Sequence, residues 1–184
     1  PKQQTLAGIV FLAFEQLPDE KRPPKDILIK WYLYSERIKN ENKKQNKYAA
    51  NITERFLKDG FKSAILKGQG IAMLYPRPLY RHPGDIDIWL DGTREKIIKY
   101  IDTISPDSEP VYHHVDFPVL SDIDIEIHFT PSWMNNYFIN RKLQKYFTQN
   151  AEPSFNNSIL LEEGLRVNVP TLSFNRVFIL LHIY

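Results

Sequence analysis

The chain has 184 residues, 42% of them hydrophobic and 25% charged. This composition excludes collagen-like, fully disordered and disulfide-framework classes and leaves one compact domain or one domain with a helical appendage. The absence of Cys removes thiol nucleophiles, zinc–thiolate sites and iron–sulfur ligation, and fits a reducing, cytoplasmic setting. No apolar run approaches the ~20 residues that cross a bilayer, so no membrane partner is expected. Net charge is only +2, but its distribution is uneven. Lys21 to Lys67 holds thirteen Lys and Arg against five Asp and Glu. A basic stretch of this kind either steers an anion toward a carboxylate site or is simply a solvated helix face.

Leu6 to Leu17 carries apolar residues at helical spacing, and Pro18 ends it. Pro23-Pro24 opens the next segment, and Lys25 to Lys58 reads as long helical sequence. Ile27, Trp31, Tyr34 and Ile38 form one stripe; Tyr48, Ile52 and Phe56 form another. Both read as core rather than base-stacking surface. Between them, Lys39 to Lys47 has no apolar residue and is either an exposed helical span or a break between two helices. Residues 1–59 are therefore expected to form an N-terminal helical region.

The pattern changes at Gly60. Phe61 to Leu66 is strand-like and ends in Lys67-Gly68-Gln69-Gly70, followed by a helical turn or two from Ile71 to Tyr75. Pro76, Pro78 and Pro83 stiffen the next loop. Asp85 to Leu90 alternates acidic and apolar residues as a strand does. Thr93 to Ile104 reads as a helix capped by Thr93, with Ile97, Ile98 and Ile101 inward. Val111 to Val119 and Asp122 to Phe129 suggest a hairpin. Pro131 to Gln149 is helical with an interruption at Asn135-Asn136, Ile159 to Val169 offers a strand or hairpin, and Leu172 opens a final helix. That last run is apolar and uncapped at Tyr184, and there is no initiator Met, so the chain reads as a fragment whose C-terminal region (171–184) is truncated. The central part, residues 60–170, is the expected catalytic core.

Three features carry chemistry. Glycines after a strand let backbone amides approach a phosphate, although Gly68 and Gly70 alone also describe a tight strand-to-helix turn. Asp85 and Asp87, two apart on a strand, point the same way. Two unpaired carboxylates this close repel, which a cation between them relieves; oxygen ligands with an incomplete cage suit Mg²⁺. The apolar residues around them, Ile86, Ile88, Trp89 and Leu90, make a poor solvent-facing strand. Finally, Asp122, Asp124, Glu126 and His128 share one face of the later strand, where Asp124 or Glu126 can complete a three-carboxylate site and Asp122 stays solvated. His128 reads chiefly as a structural histidine.

Leu66-Lys67-Gly68-Gln69-Gly70, Tyr75-Pro76-Arg77-Pro78, Arg81, Gly84-Asp85-Ile86-Asp87 and Ile125-Glu126-Ile127-His128, in this order, resemble a bacterial nucleotidyltransferase family within the DNA polymerase beta-like superfamily. The Lys-Gly, Arg and Asp-x-Asp portion is also similar to AbiEii-type toxins. The resemblance covers about a third of the chain. It implies an α+β fold, a mixed sheet flanked by helices, behind the N-terminal helical region. It implies Mg²⁺ or Mn²⁺ held by Asp85, Asp87 and Glu126, a turn shaped for a triphosphate by Gly68 and Gly70, and phosphate neutralisation by Lys67. Arg81 matches an arginine that either touches phosphate or pairs with an acid. Gln69 stands where the wider superfamily has Ser, so backbone amides, Gln69 or Lys67 must replace that hydroxyl. The implied reaction moves an NMP group from an NTP to a hydroxyl acceptor (RNA, protein or small molecule) and releases pyrophosphate, with two metal ions assisting. The rival readings are a non-catalytic nucleotide- or metal-binding module and an Asp-x-Asp sugar-nucleotide glycosyltransferase. The helical sequence before the Asp-x-Asp counts against the last.

Overall fold

The computed structural model describes residues 7–183. Helix α1 (Ala7–Phe14) packs on α2 (Lys25–Lys58), a single unbroken helix of 34 residues. Of the two alternatives for Lys39 to Lys47, the continuous helix is the one observed, but only Asn40, Lys44 and Lys47 are exposed and one face of the span is buried. Asn42, Gln45 and Asn46 are buried, and they continue the stripe that runs from Ile38 to Ala49, Ile52 and Phe56. A Schellman-type stop ends α2: Gly60 has φ +86°, Gly60 N–H donates to Leu57 O and Phe61 N–H to Phe56 O.

The chain then builds a four-stranded sheet from β1 (Ser63–Leu66), β2 (Ile86–Leu90), β3 (His114–Asp116) and β4 (Ile125–His128). Its order is β1-β2-β4-β3; β1 is antiparallel to β2, β2 parallel to β4, and β4 antiparallel to β3. Helix α3 (Lys67–Ala72) starts directly at the end of β1, four residues before the position expected from the apolar pattern. Helix α4 (Arg94–Asp102) follows β2, with the Thr93 hydroxyl accepting from Lys96 N–H as its cap. Ile97 and Ile101 are fully inward, but Ile98 is only half-buried. The expected hairpin forms, though each strand is shorter than the apolar pattern suggests. Asn136 caps α5 (Tyr137–Phe155), which accounts for the interruption at that point. Strands β5 (Ser158–Leu160) and β6 (Arg166–Asn168) form a second, two-stranded sheet, and α6 (Leu172–Ile183) closes the described chain. The mixed α+β class is as expected.

Strand alternation sends side chains to two different cores. Ile65, Ile86, Ile88, Leu90 and Ile127 pack with Ile52 and Phe56 of α2 and with Ile97 and Ile101 of α4. Ala64, Leu66 and Trp89 pack on the opposite face with Leu143 and Phe147 of α5 and Phe174 and Phe178 of α6. Asp87 lies on the face of Trp89, and Glu126 and His128 lie on that face of β4. Helices on both faces exclude water around the central strands, so polar groups there need partners. The second half of α2 belongs to the same core as the sheet.

Candidate active site

The parallel register sets Asp87 directly opposite Glu126, and antiparallel pairing sets Leu66, the residue before Lys67, opposite Asp87. Asp87 is fully buried, and its Oδ1 lies 3.0 Å from His128 Nε2 and 3.1 Å from Lys67 Nζ. Its Oδ2 is buried with no hydrogen-bond partner. The same Lys67 ammonium lies 3.5 Å from Asp85 Oδ2, and His128 Nε2 lies 3.3 Å from Glu126 Oε2. Asp85 precedes the first residue of β2, yet still reaches the lysine that Asp87 contacts. Ligand atoms of Asp87, Glu126 and His128 all lie within 4.8 Å of one another, close enough for one cation.

Charge compensation explains the titration of these groups. The His128 hydrogen bond holds the Glu126 carboxyl down at about 2 against the opposing pull of burial, with His114 and Lys67 adding to the effect. Burial pulls His128 down, but hydrogen bonds to Asp87 and Glu126 outweigh it and leave the imidazole above its ordinary value. Burial likewise opposes the charge on Lys67, and the attraction of Asp87 and Asp85 reverses the balance. Lys67 and the His128 imidazole thus sit among three acids. The His114 Nδ1 is a further 3.5 Å from Glu126 Oε2.

The turn after β1 is strained where it meets these acids. Lys67 has φ +34° and Gly68 has φ +37°. A non-glycine residue in this region costs of order 1–3 kcal/mol and marks functional positions. At Gly68 an added Cβ would meet the Arg81 guanidinium at 3.4 Å. Burial pulls the Arg81 guanidinium below its usual range, against Tyr75 and Asp85. Gly70 is required for a different reason: a Cβ there would stand 2.3 Å from Ile65 O.

The Gln69 side chain is buried against α2. Its amide donates to Gln45 Oε1 at 2.8 Å and to Asn42 Oδ1 at 3.2 Å. Asn42 in turn shares its amide hydrogens among Ile38 O, Leu79 O and Arg81 O, and Gln45 donates to Gly84 O. These amides fix the loop that carries Arg81 and leads into Asp85. Sequence reasoning missed Asn42 and Gln45; the signal was their helical spacing from Ile38 and Ala49. Asp122 is exposed and pairs with Lys44. Asp124 contributes its backbone carbonyl to Ile86 N–H at 2.9 Å. A cleft of about 340 Å³ opens beside Glu126, lined also by Asp116 and Asp124. A roomier cleft of about 570 Å³, between α2 and the second sheet, lies away from these acids. Of the thirteen cations between Lys21 and Lys67, nine have a carboxylate within 4 Å. Most of that basic stretch is therefore locally compensated.

A sequence profile of the family described as uncharacterised nucleotidyltransferase matches residues 2–180. No curated protein matches. Among solved structures, the chain is similar to an antigenic nucleotidyltransferase-like protein from Paracoccidioides brasiliensis, with 14% identity and a TM-score of 0.41. That match covers 68% of this chain and spans 60% of the length of that protein.

Proposed function

Because this chain belongs to the uncharacterised nucleotidyltransferase family, we propose that it moves an NMP group from an NTP to a hydroxyl acceptor, with release of pyrophosphate. The observation that carries this reading is the convergence of Asp85, Asp87 and Glu126 on Lys67 and His128 beside the Gly68–Gly70 turn. Oxygen donors with a buried, partnerless Asp87 Oδ2 fit Mg²⁺ or Mn²⁺. Asp85, Asp87 and Glu126 would hold it; when bound, such an ion neutralises phosphate charge and lowers the pKa of an acceptor hydroxyl.

The residues of the chain supply the rest. His128 donates from Nε2 to Asp87 and Glu126 and so fixes both carboxylates in place. Lys67, whose ammonium faces Asp85 and Asp87, would neutralise triphosphate charge. The positive φ at Lys67 and Gly68 marks the turn whose amides would approach a phosphate. Gln69 is held by α2, so amides and Lys67 are left to replace the missing Ser hydroxyl. Positioning and charge neutralisation carry most of the barrier reduction, with no covalent enzyme intermediate.

The Asp85→Asn/Asp87→Asn double variant should lose Mg²⁺-dependent pyrophosphate release. Unchanged turnover would remove both residues from the mechanism. The buried commitment of Gln69 supports a second reading, a nucleotide-binding module without turnover. Calorimetry with the four NTPs and Mg²⁺, followed by a product assay on a cell extract with labelled NTPs, separates the two and identifies the acceptor.

A further inference from the structure

Beside the carboxylates lies a group of three imidazoles, two of which, His113 and His114, have no part in the nucleotidyl transfer proposed above. His114 pairs with His128 across β3 and β4, and His113 precedes it. The ring centroids are 4.6 Å apart for His113 and His114, 5.5 Å for His113 and His128, and 5.2 Å for His114 and His128. One ligand nitrogen from each ring lies within 4.8 Å of the other two. His128 is 1% exposed, and His113 and His114 are half-buried.

The hydrogen bonding of His128 is the second observation. Its Nε2 faces Asp87 and Glu126, which are acceptors, so the proton belongs on Nε2. Its Nδ1 is buried with no hydrogen-bond partner; Nδ1 of His114 also makes no hydrogen bond, but lies 3.5 Å from Glu126 Oε2. A buried, partnerless imidazole nitrogen is costly unless something binds it. Metal-ligating histidines typically donate their other N–H to a carboxylate, which fixes the tautomer and raises ligand basicity. His128 already has that arrangement.

We propose that His113, His114 and His128 form a second cation site, selective for a borderline divalent metal such as Zn²⁺, Co²⁺ or Ni²⁺. Three nitrogen donors suit these ions and not Mg²⁺, which requires oxygen. A tetrahedral Zn²⁺ with Zn–N near 2.0–2.1 Å needs donors about 3.3 Å apart, so the three rings need only modest rotation. The fourth position is open to water or substrate. Through the Nε2 hydrogen bonds of His128, this ion is coupled to the carboxylates.

The test is a titration of the metal-free chain with Zn²⁺ and with Co²⁺, in a large excess of Mg²⁺ that saturates oxygen sites. About one equivalent is expected to bind, with visible Co²⁺ absorption of a four-coordinate centre and shifts in histidine ring NMR signals. His113→Ala/His114→Ala should weaken binding at least roughly tenfold. The pair His113→Gln/His114→Gln, checked by circular dichroism, keeps the side-chain bulk in case the alanine variant fails to fold. Wild-type binding that Mg²⁺ displaces would put the ion on the carboxylates and overturn the proposal. So would affinity unchanged in a folded variant, or no binding by the wild-type chain.

Discussion

Replacing Lys67 by Met isolates the role of its ammonium. The substitution keeps an unbranched side chain at the strained turn and removes only the charge that faces Asp87 at 3.1 Å and Asp85 at 3.5 Å. Removing one partner of a buried pair costs about 3–5 kcal/mol. Asp87 keeps the His128 bond, which places the loss at the low end, about 3 kcal/mol. For a chain of this size each kcal/mol moves Tm by roughly 2–4 °C, so Tm in a chelator should fall by roughly 6–12 °C. Added Mg²⁺ gives the second half of the prediction. In the wild type a divalent ion must displace the ammonium; in the variant it need not. If that tightens binding about tenfold, saturating Mg²⁺ stabilises the variant by about 1.4 kcal/mol more than the wild type. Thermal unfolding of both proteins with and without Mg²⁺ reads both effects. An unchanged Tm in the chelator, or equal Mg²⁺ shifts, would refute the view that Lys67 stands in for a cation.

Gly70→Ala forces a Cβ to 2.3 Å from Ile65 O, so β1 and α3 must separate; denaturant unfolding should show a loss of roughly 1–3 kcal/mol. Asn42→Leu leaves the carbonyls of Leu79 and Arg81 buried without a donor and should cost about 2–4 kcal/mol, with faster hydrogen exchange across the loop that follows. The depressed Glu126 carboxyl contributes stability that is present above its unfolded value of 4.5 and is lost as pH falls toward about 2. Acid unfolding of the metal-free chain should therefore steepen in that window, and Glu126→Gln should flatten it.

Much of this fold could be read along the chain because its signals are local. The ends of α2 follow from Pro24 and Gly60, the start of α4 from Thr93, and the hairpin from the alternation around Glu126. The site was legible only as a set of residue types. Which acid opposes Asp87 depends on a parallel register between β2 and β4, strands joined by a long connection, and nothing in either segment encodes that pairing alone. His128 illustrates the gap: its sequence context reads as structural, and only the fold shows Nε2 placed between Asp87 and Glu126. Lys39 to Lys47 misleads for a related reason. An apolar scan sees nothing there, because amides rather than hydrocarbons occupy the inward face.

That amide seam has a mechanical consequence. Apolar contacts are non-directional, whereas Asn42 and Gln45 grip individual carbonyls of Leu79, Arg81 and Gly84. A slip of one turn, about 5.4 Å, would break every one of these bonds at once. The long helix and the strap bearing Arg81 are therefore held in a single register.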